Sequence, residues 1–357
     1  MRRLSLLGIF LFLGAAAAVY VFRAELGMAV YARAVERGVS ETSASLPDGL
    51  HVFLCGTGSP MPDDRRAGPC VGILAGQRAF VVDAGSGGPR KLARMGFPVG
   101  ALEGVLLSHL HSDHIDALGE LIMLDWVGGN GRRAPLSVTG PRGTREVVAG
   151  FNAAYHIDSG YRIGHHGEAV APPDGVGGLA RELAMPEHRD TLTLLDDGDL
   201  RITAIRVDHA PVDPAFGYRF DYRGRSVALS GDTVFQRAFV DAASGVDLML
   251  HEALQPAMLN LMRAAMRRHG RDNTARILTD ILDYHATPDD AARAAREAGA
   301  AALVLYHTVP PLPLDAFNAA FLGDAAQAFD GPLRIGRDGE RISLPVGGRA
   351  IVNKTLF

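Results

Sequence analysis

The sequence predicts an α/β fold, and three observations carry that expectation. Short apolar runs of strand length alternate with helical patterns from Leu50 to about residue 345. Several of those runs stop at a His or Asp, at His109, His209, Asp232, His251 and His307. The composition, 47% apolar and 21% charged, is that of a globular chain with a substantial core, and 357 residues permit one large domain or two. A net charge of −4 gives no reason to expect a nucleic-acid binder. The two cysteines, Cys55 and Cys70, cannot form a disulfide framework, so any ligand set must rest on His and Asp.

The N-terminus departs from that class. Met1-Arg2-Arg3 precedes an uncharged apolar run, Leu4 to Phe22, nearly long enough as a helix to cross a bilayer. Ala15 to Ala18 offers a signal-peptide cleavage site, but the run continues through Val19-Tyr20-Val21-Phe22 before Arg23 ends it. Residues 1–23 are therefore read as a signal anchor, with a cleaved signal peptide as the alternative. Arg2 and Arg3 hold the N-terminus in the cytoplasm. The rest of the chain is then expected outside it, periplasmic or extracellular, and secreted if the signal is removed. Residues 24–47 read as a stalk and linker: Ala24 to Arg37 are helix formers, and Gly38 to Pro47 break the pattern.

Residues 48–357 form the globular domain. His51 to Cys55 is a strand, followed by the glycine-rich turn Gly56-Thr57-Gly58-Ser59-Pro60. Val71 to Leu74 and Ala79 to Val82 are the next strands, and the second ends at Asp83-Ala84-Gly85-Ser86-Gly87. Asp83 either holds a ligating histidine from behind or caps the helix of residues 88–96. Val105 to Ser108 is a strand, Leu136 to Thr139 another, and Thr144 to Asn152 a helix. Residues 156–190 read as loop, with His156, His165, His166 and His188 on the surface or in a substrate pocket. Leu200 to Val207 alternates like a strand and ends at His209. Phe216 to Tyr222 and Ser226 to Leu229 make a hairpin around Arg223-Gly224, leading to Ser230-Gly231-Asp232-Thr233. Asp247 to Leu250 ends at His251-Glu252.

Gln255 to His285 is helical and crowded with Arg263, Arg267, Arg268, Arg271 and Arg276, while Leu259, Met262 and Met266 share one face. This stretch near 255–285 is a cap-like insertion over the site, a membrane-surface helix, or an ordinary amphipathic helix on the core. Thr287 to Ala298 is a helix, Ala301 to Tyr306 a strand ending at His307, Pro313 to Phe329 a last helix, and 332–345 a terminal strand pair.

The chemistry concentrates in Ser108-His109-Leu110-His111-Ser112-Asp113-His114. Imidazole and carboxylate are the ligands that zinc and similar borderline metals prefer. His109 and His111 alternate and point one way; Asp113 and His114 turn into a helix and face a neighbouring point, so one loop can serve two metals.

The HxHxDH motif followed by lone His209, Asp232 and His307 resembles the metallo-β-lactamase superfamily over roughly residues 50–345. Phe53 to Pro60, Gly217-Tyr218-Arg219-Phe220, Ser230 to Thr233, His251-Glu252-Ala253 and His285-Ala286-Thr287 resemble its ribonuclease Z and arylsulfatase-like branch. The resemblance implies a four-layer αββα sandwich with a dinuclear site at one edge of two sheets. It implies one ion held by His109, His111 and His209, the other by Asp113, His114 and His307, and Asp232 bridging them. The two divalent ions are expected to be Zn2+, with Mn2+ or Fe2+ as alternatives, and a bridging hydroxide is the expected nucleophile. Asp113 is the carboxylate that points toward hydrolysis, and Glu252 and His285 are the candidate general-acid partners; an ion pair bracing the loop is the alternative for that pair.

The implied function is a membrane-anchored metallohydrolase cleaving a small anionic ester, a phosphodiester or a sulfate ester, with Arg65, Arg66 and the Arg263–Arg276 region available to an anion. A 3′-tRNA processing endoribonuclease is the alternative. It is disfavoured because only a short hairpin fits where long-arm ribonuclease Z carries its tRNA-binding arm. A β-lactamase is disfavoured because Asp232 stands where many such enzymes use cysteine. A non-catalytic metal-binding membrane scaffold is the remaining alternative, and a homodimer is compatible with the sequence.

Overall fold

The computed structural model describes residues 12–14, 17–39, 43–129 and 131–357. The chain divides into two units, Met1–Ser45 and Leu46–Phe357, the second starting two residues before the expected boundary. The first holds helix α1 (Arg23–Val39), which extends the expected helix and begins with an acidic first turn at Glu25. Among the described residues no single helix is long and apolar enough to cross a membrane; a bent pair, Phe12–Val21 and Arg23–Glu36, passes that test only together. Much of the expected anchor, residues 4–11 and 15–16, lies outside the described residues.

The second unit is built on two mixed sheets. In chain order its strands and helices are β1 (Gly49–Gly56), β2 (Cys70–Ala75), β3 (Arg78–Val82), α2 (Gly88–Arg94), β4 (Leu102–Leu106), α3 (Ser112–Ile115), α4 (Leu118–Gly128), β5 (Leu136–Gly140), α5 (Thr144–His166) and β6 (Gly178–Glu182). Then come β7 (Thr191–Asp196), β8 (Leu200–His209), β9 (Val212–Tyr222), β10 (Arg225–Leu229), α6 (Arg237–Ala242), β11 (Leu248–Leu254), α7 (Pro256–Arg268), α8 (Asp272–Asp280) and α9 (Pro288–Ala298). The chain closes with β12 (Leu303–Val309), α10 (Asn318–Leu322), α11 (Ala325–Ala328), β13 (Leu333–Ile335), β14 (Glu340–Pro345) and β15 (Val352–Thr355). One sheet runs β15-β14-β1-β2-β3-β4-β5-β6 and the other β13-β12-β11-β10-β9-β8-β7.

Side-chain alternation along the strands explains the layering. In β1, Leu50, Val52 and Leu54 pack into a core shared by both sheets, with Ile202, Phe220, Leu250 and Val304 from the other sheet. Phe53 and Cys55 face the opposite way, toward Leu92 of α2, Leu118 and Leu121 of α4 and Val148 of α5. The second sheet turns Ile205, Val207 and Met249 toward Phe239 of α6 and Ala291, Ala295 and Ala298 of α9. Both sheets are thus covered on both faces, and β1, β2, β11 and β12 are buried along their whole length.

Four expectations change. Residues 332–345 do not form a strand pair: β13 adds parallel to β12, while β14 pairs with β1 in the other sheet. The expected loop 156–190 is partly regular: the helix from Thr144 runs to His166, with Gly150, Gly160 and Gly164 uncrowded within it and His156, His165 and His166 on exposed turns, and Gly178–Glu182 forms β6. Pro313 to Phe329 breaks into a 3-10 turn (Asp315–Phe317), α10 and α11. Cys55 and Cys70 are bonded to each other. They end β1 and begin β2, adjacent antiparallel strands in which Gly56 stands opposite Cys70, so the register brings the two sulfurs together.

Candidate metal centre

Six of the strands converge on one edge of the sandwich with their chemistry-bearing ends. Asp83 follows β3, Ser108 to His114 follows β4, His209 ends β8, Asp232 follows β10, and Glu252 and His307 lie near the ends of β11 and β12. Cross-sheet hydrogen bonds fix this edge: the Phe216 N–H donates to the Ser108 carbonyl at 2.9 Å, and the Tyr218 hydroxyl to the Leu107 carbonyl at 2.6 Å. Two glycines are required by the geometry. Gly231 has φ 62° and a side chain there would press on the Phe216 carbonyl, which lets the chain turn into Asp232. Gly85 lies against the Asp113 carbonyl, where a Cβ would sit 2.4 Å away.

The carboxylate of Asp232 is the centre of the cluster. Its Oδ2 lies 3.9 Å from His109 Nε2, 3.4 Å from His114 Nε2, 3.9 Å from His209 Nε2 and 3.3 Å from His307 Nε2. Asp113 Oδ2 lies 3.3 Å from His307 Nε2 and 3.6 Å from His114 Nε2. His111 Nδ1 comes within 2.9 Å of His109 Nε2 and 3.4 Å of His209 Nε2. The donor atoms therefore fall into a group of His109, His111, His209 and Asp232 and a group of Asp113, His114 and His307. His285 also reaches Asp232 and His307 closely enough to group with them.

The arrangement fits a pair of divalent cations. Imidazole nitrogens and carboxylate oxygens converge on one another, and buried His114 Nε2 and Asp232 Oδ1 have no hydrogen-bond partner. Burial first, then the neighbouring imidazoles, holds His109 well below its ordinary pKa, and burial likewise lowers His111 and His209. These three rings are held neutral, with the free lone pairs a metal requires, whereas at His114 burial is outweighed by the carboxylates of Asp232, Asp83 and Asp113, which raise the pKa of the ring.

Supporting contacts orient these donors. Asp83 accepts from the Ser108 N–H and hydroxyl, both at 2.7 Å, and from His114 Nδ1 at 2.9 Å. The His114 ring therefore presents Nε2 to the cluster. Asp83 performs this clamp from φ 59°, and His307 sits at φ 45°; left-handed angles at non-glycine residues cost about 1–3 kcal/mol each and mark functional sites. Asp83 is not the N-cap of α2, whose N-cap position is Gly87.

His209 Nδ1–H donates to the Tyr284 carbonyl at 2.9 Å, so its Nε2 is left for the cluster. Tyr284 was not among the expected site residues; its only sequence signal is its place beside His285. His285 Nδ1 pairs with Glu252 Oε1 at 2.8 Å, and the same oxygen accepts from the Thr233 and Ala286 N–H groups. Burial works against protonation of His285, but the Glu252 carboxylate outweighs it and raises the ring to about 9. Thr287 and Asp290 form a capping box that starts α9 just after this pair.

Other expected residues fall elsewhere. His251 turns to the helix side, its Nδ1–H donating to the Glu252 carbonyl and its ring against Phe239. The Arg65 guanidinium holds the Pro313 carbonyl and Asp315, and Arg66 holds Thr57 and the Gly336 carbonyl, so both brace loops. Arg276 pairs with Asp280 one turn along α8. His188 is exposed. A cavity of about 220 Å³ opens over the cluster, lined by His111, Asp113, Asp232, His285 and His307 together with apolar side chains from residues 60–61 and 277–284. Glu252 does not line it.

Comparison with known proteins gives consistent results. Residues 78–308 match the family described as Beta-lactamase superfamily domain. Curated proteins named ribonuclease Z from Mycobacterium sp. (strain KMS) and Mycobacterium avium (strain 104) are each 36% identical, over 84% and 83% of this chain and 97% and 98% of their own length. Among solved structures, the short form of human tRNase Z is 21% identical with a TM-score of 0.58, covering 83% of this chain and 100% of that one. A metallo-beta-lactamase fold protein from Bacillus subtilis is 21% identical with a TM-score of 0.57, covering 83% and 99%.

Proposed function

The chain belongs to the metallo-β-lactamase superfamily, and from that premise we propose a dinuclear phosphodiesterase of the ribonuclease Z kind, acting at the 3′ side of an RNA such as a tRNA precursor. The single observation that carries the reading is the convergence of two donor groups on Asp232 Oδ2. The curated relatives named ribonuclease Z turn the broad expectation of an anionic ester toward a phosphodiester; the sulfate ester gains no support from them.

His109, His111 and His209 would hold one ion, Asp113, His114 and His307 the other, and Asp232 would lie between them. Nitrogen and carboxylate donors suit zinc, with manganese or iron as alternatives. When bound, two such ions supply acidity for a water nucleophile near neutral pH and neutralise charge on phosphoryl oxygens. The chain's own residues do the rest. Asp83 and the Tyr284 carbonyl fix the rings of His114 and His209. Glu252, buried behind the cavity, holds His285 at Nδ1, which leaves a proton on Nε2 of a ring that lines the cavity. His285 is placed to give that proton to the leaving oxygen, and Glu252 is its positioning residue.

A second reading, a small phosphodiester outside the cytoplasm, is favoured by the Cys55–Cys70 disulfide, since disulfides persist in oxidising compartments. The apolar run at residues 4–22 supports the same placement, and between His209 and Asp232 the structure has only the β9–β10 hairpin.

One experiment tests the centre and separates the readings. Metal-reconstituted protein is assayed on a tRNA precursor with a 3′ trailer, on bis(p-nitrophenyl) phosphate and on p-nitrophenyl sulfate, with metal content measured alongside. The phosphodiesters are expected to be cleaved and the sulfate spared. Asp232→Ala and His114→Ala are expected to lose about a hundredfold or more in kcat/KM and at least one metal ion. Full activity and full metal content in both variants would sink the site; cleavage of the small diester alone selects the second reading.

A further inference from the structure

Among the described residues the cavity over the cluster has no lysine or arginine in its lining; besides the site's imidazoles and carboxylates and Ser112 it is formed by Pro60, Met61, Ile277, Ile281, Tyr284 and Val309. Ile277 lies on α8, Ile281 caps its C-terminal end and Tyr284 follows in the bend after it, and all three line the cavity. Ile277 is 59% exposed, so its side chain is open to a ligand at the mouth of the cavity. Met61 and Ile281 pack together with Leu259 and Leu278 in a small cluster against α7 and α8, so this wall has a firm backing. Tyr284 is fixed at both ends. Its carbonyl accepts from His209, and its ring meets the His209 ring edge-on at 4.8 Å.

A long stretch of RNA backbone calls for cations at each phosphate. This cavity offers opposite charge only where the metals would sit and an apolar surface immediately beside it. Resting on the phosphodiesterase reading above, we propose that Met61, Ile277, Ile281 and Tyr284 form a subsite for a flat aromatic group attached to the scissile phosphodiester, an aryl ring or a nucleobase carried on its sugar. Rings of either origin stack on tyrosine and pack on isoleucine with little regard to their hydrogen-bonding edges. The segment at 255–285 then has two tasks: it orients His209 and it selects what flanks the phosphate.

The test is calorimetric binding of diphenyl phosphate and dimethyl phosphate to the metal-loaded full-length protein, wild type and Ile277→Ser/Ile281→Ser. The wild type is expected to prefer the diphenyl ester by about tenfold or more, and the double variant to lose most of that preference. Ile277→Ser alone, at an exposed position, is expected to lose part of it and serves if the double variant fails to fold. Equal affinities in the wild type, or an undiminished preference in a folded variant, overturn the proposal.

Turnover of bis(p-nitrophenyl) phosphate and methyl p-nitrophenyl phosphate, which share a leaving group, is expected to differ in KM more than in kcat. A dinucleotide and its abasic counterpart form the nucleobase arm. Preference for the base identifies a nucleobase; indifference to it, with the diphenyl preference intact, identifies an aryl ring. Selective binding of diphenyl phosphate without cleavage of any diester defeats the phosphodiesterase reading and leaves the subsite standing. Cleavage of both diesters without preference defeats the subsite alone.

Discussion

Asp125 shows how far one buried carboxylate outside the metal cluster shapes the stability of the domain. Its side chain is inaccessible, accepts from the Leu102 N–H at 3.0 Å and pairs with Arg132 at 3.2 Å. Burial dominates these contacts and pushes its pKa up from 3.8 to about 6. The folded state therefore holds a proton that the unfolded chain releases between about pH 4 and pH 6. The stability contributed by the neutral acid is fully present below 3.8 and is lost as the pH rises through about 6. Asp125→Asn keeps an acceptor for Leu102 and removes the charge. Its stability relative to wild type is expected to rise by on the order of 2–3 kcal/mol between pH 4 and pH 7. Urea unfolding across that range measures it, and a difference independent of pH would refute the assignment. Residues of this kind are invisible in the sequence, where Asp125 is one helical aspartate among others. The donor cluster was legible because its chemistry is rare: residue type, strand-end position and the resemblance of their order to a known family together pointed to His109, His111, Asp113, His114, His209, Asp232 and His307, which the fold brings together. Tyr284 could not, since it works through its backbone carbonyl, and any residue supplies one.

At the scale of elements, the loop between β1 and β2 is closed by a covalent bond at its base. Cys55 and Cys70 are both fully buried, and the loop they close carries Pro60 and Met61 to the cavity. Closing a loop with a sequence separation of 15 is worth about 3 kcal/mol in the chain-entropy account. Cys55→Ser/Cys70→Ser is expected to lower the unfolding free energy by about 2–4 kcal/mol. Its KM for bis(p-nitrophenyl) phosphate should rise, because the Met61 side of the subsite loses its tether. Unfolding and steady-state kinetics of the double variant check both; unchanged stability in oxidised wild type and variant would mean the bond contributes nothing. The pairing was hidden because it depends on the antiparallel register that sets Gly56 opposite Cys70. The same limit explains β13 and β14. Their short apolar runs predict strands, but local pattern does not reveal that one belongs to each sheet. Where the local signal was strong, as in the Arg223-Gly224 turn between β9 and β10, sequence and structure coincide.

At the scale of the whole molecule, the division between the two units has a direct consequence. Among the described residues every buried apolar cluster draws its members from Leu46 onward: the core between the sheets, the two helix-covered faces, and the clusters around Leu259 and Trp126. The metal cluster, its supporting contacts and the cavity also lie wholly within Leu46–Phe357. A unit with its own core and its own site is expected to fold and turn over alone. Residues 46–357, loaded with metal, should therefore match the full chain on bis(p-nitrophenyl) phosphate to within about twofold in kcat/KM. The two forms should part company on lipid. The uncharged apolar run at residues 4–22 belongs to the full chain and is missing from the truncated form. Full-length protein is expected to co-sediment with phospholipid vesicles, and residues 46–357 to stay in the supernatant. Loss of activity on truncation would show that the first unit completes the catalytic one, whereas equal sedimentation of both forms would remove the N-terminal run from any role in membrane attachment.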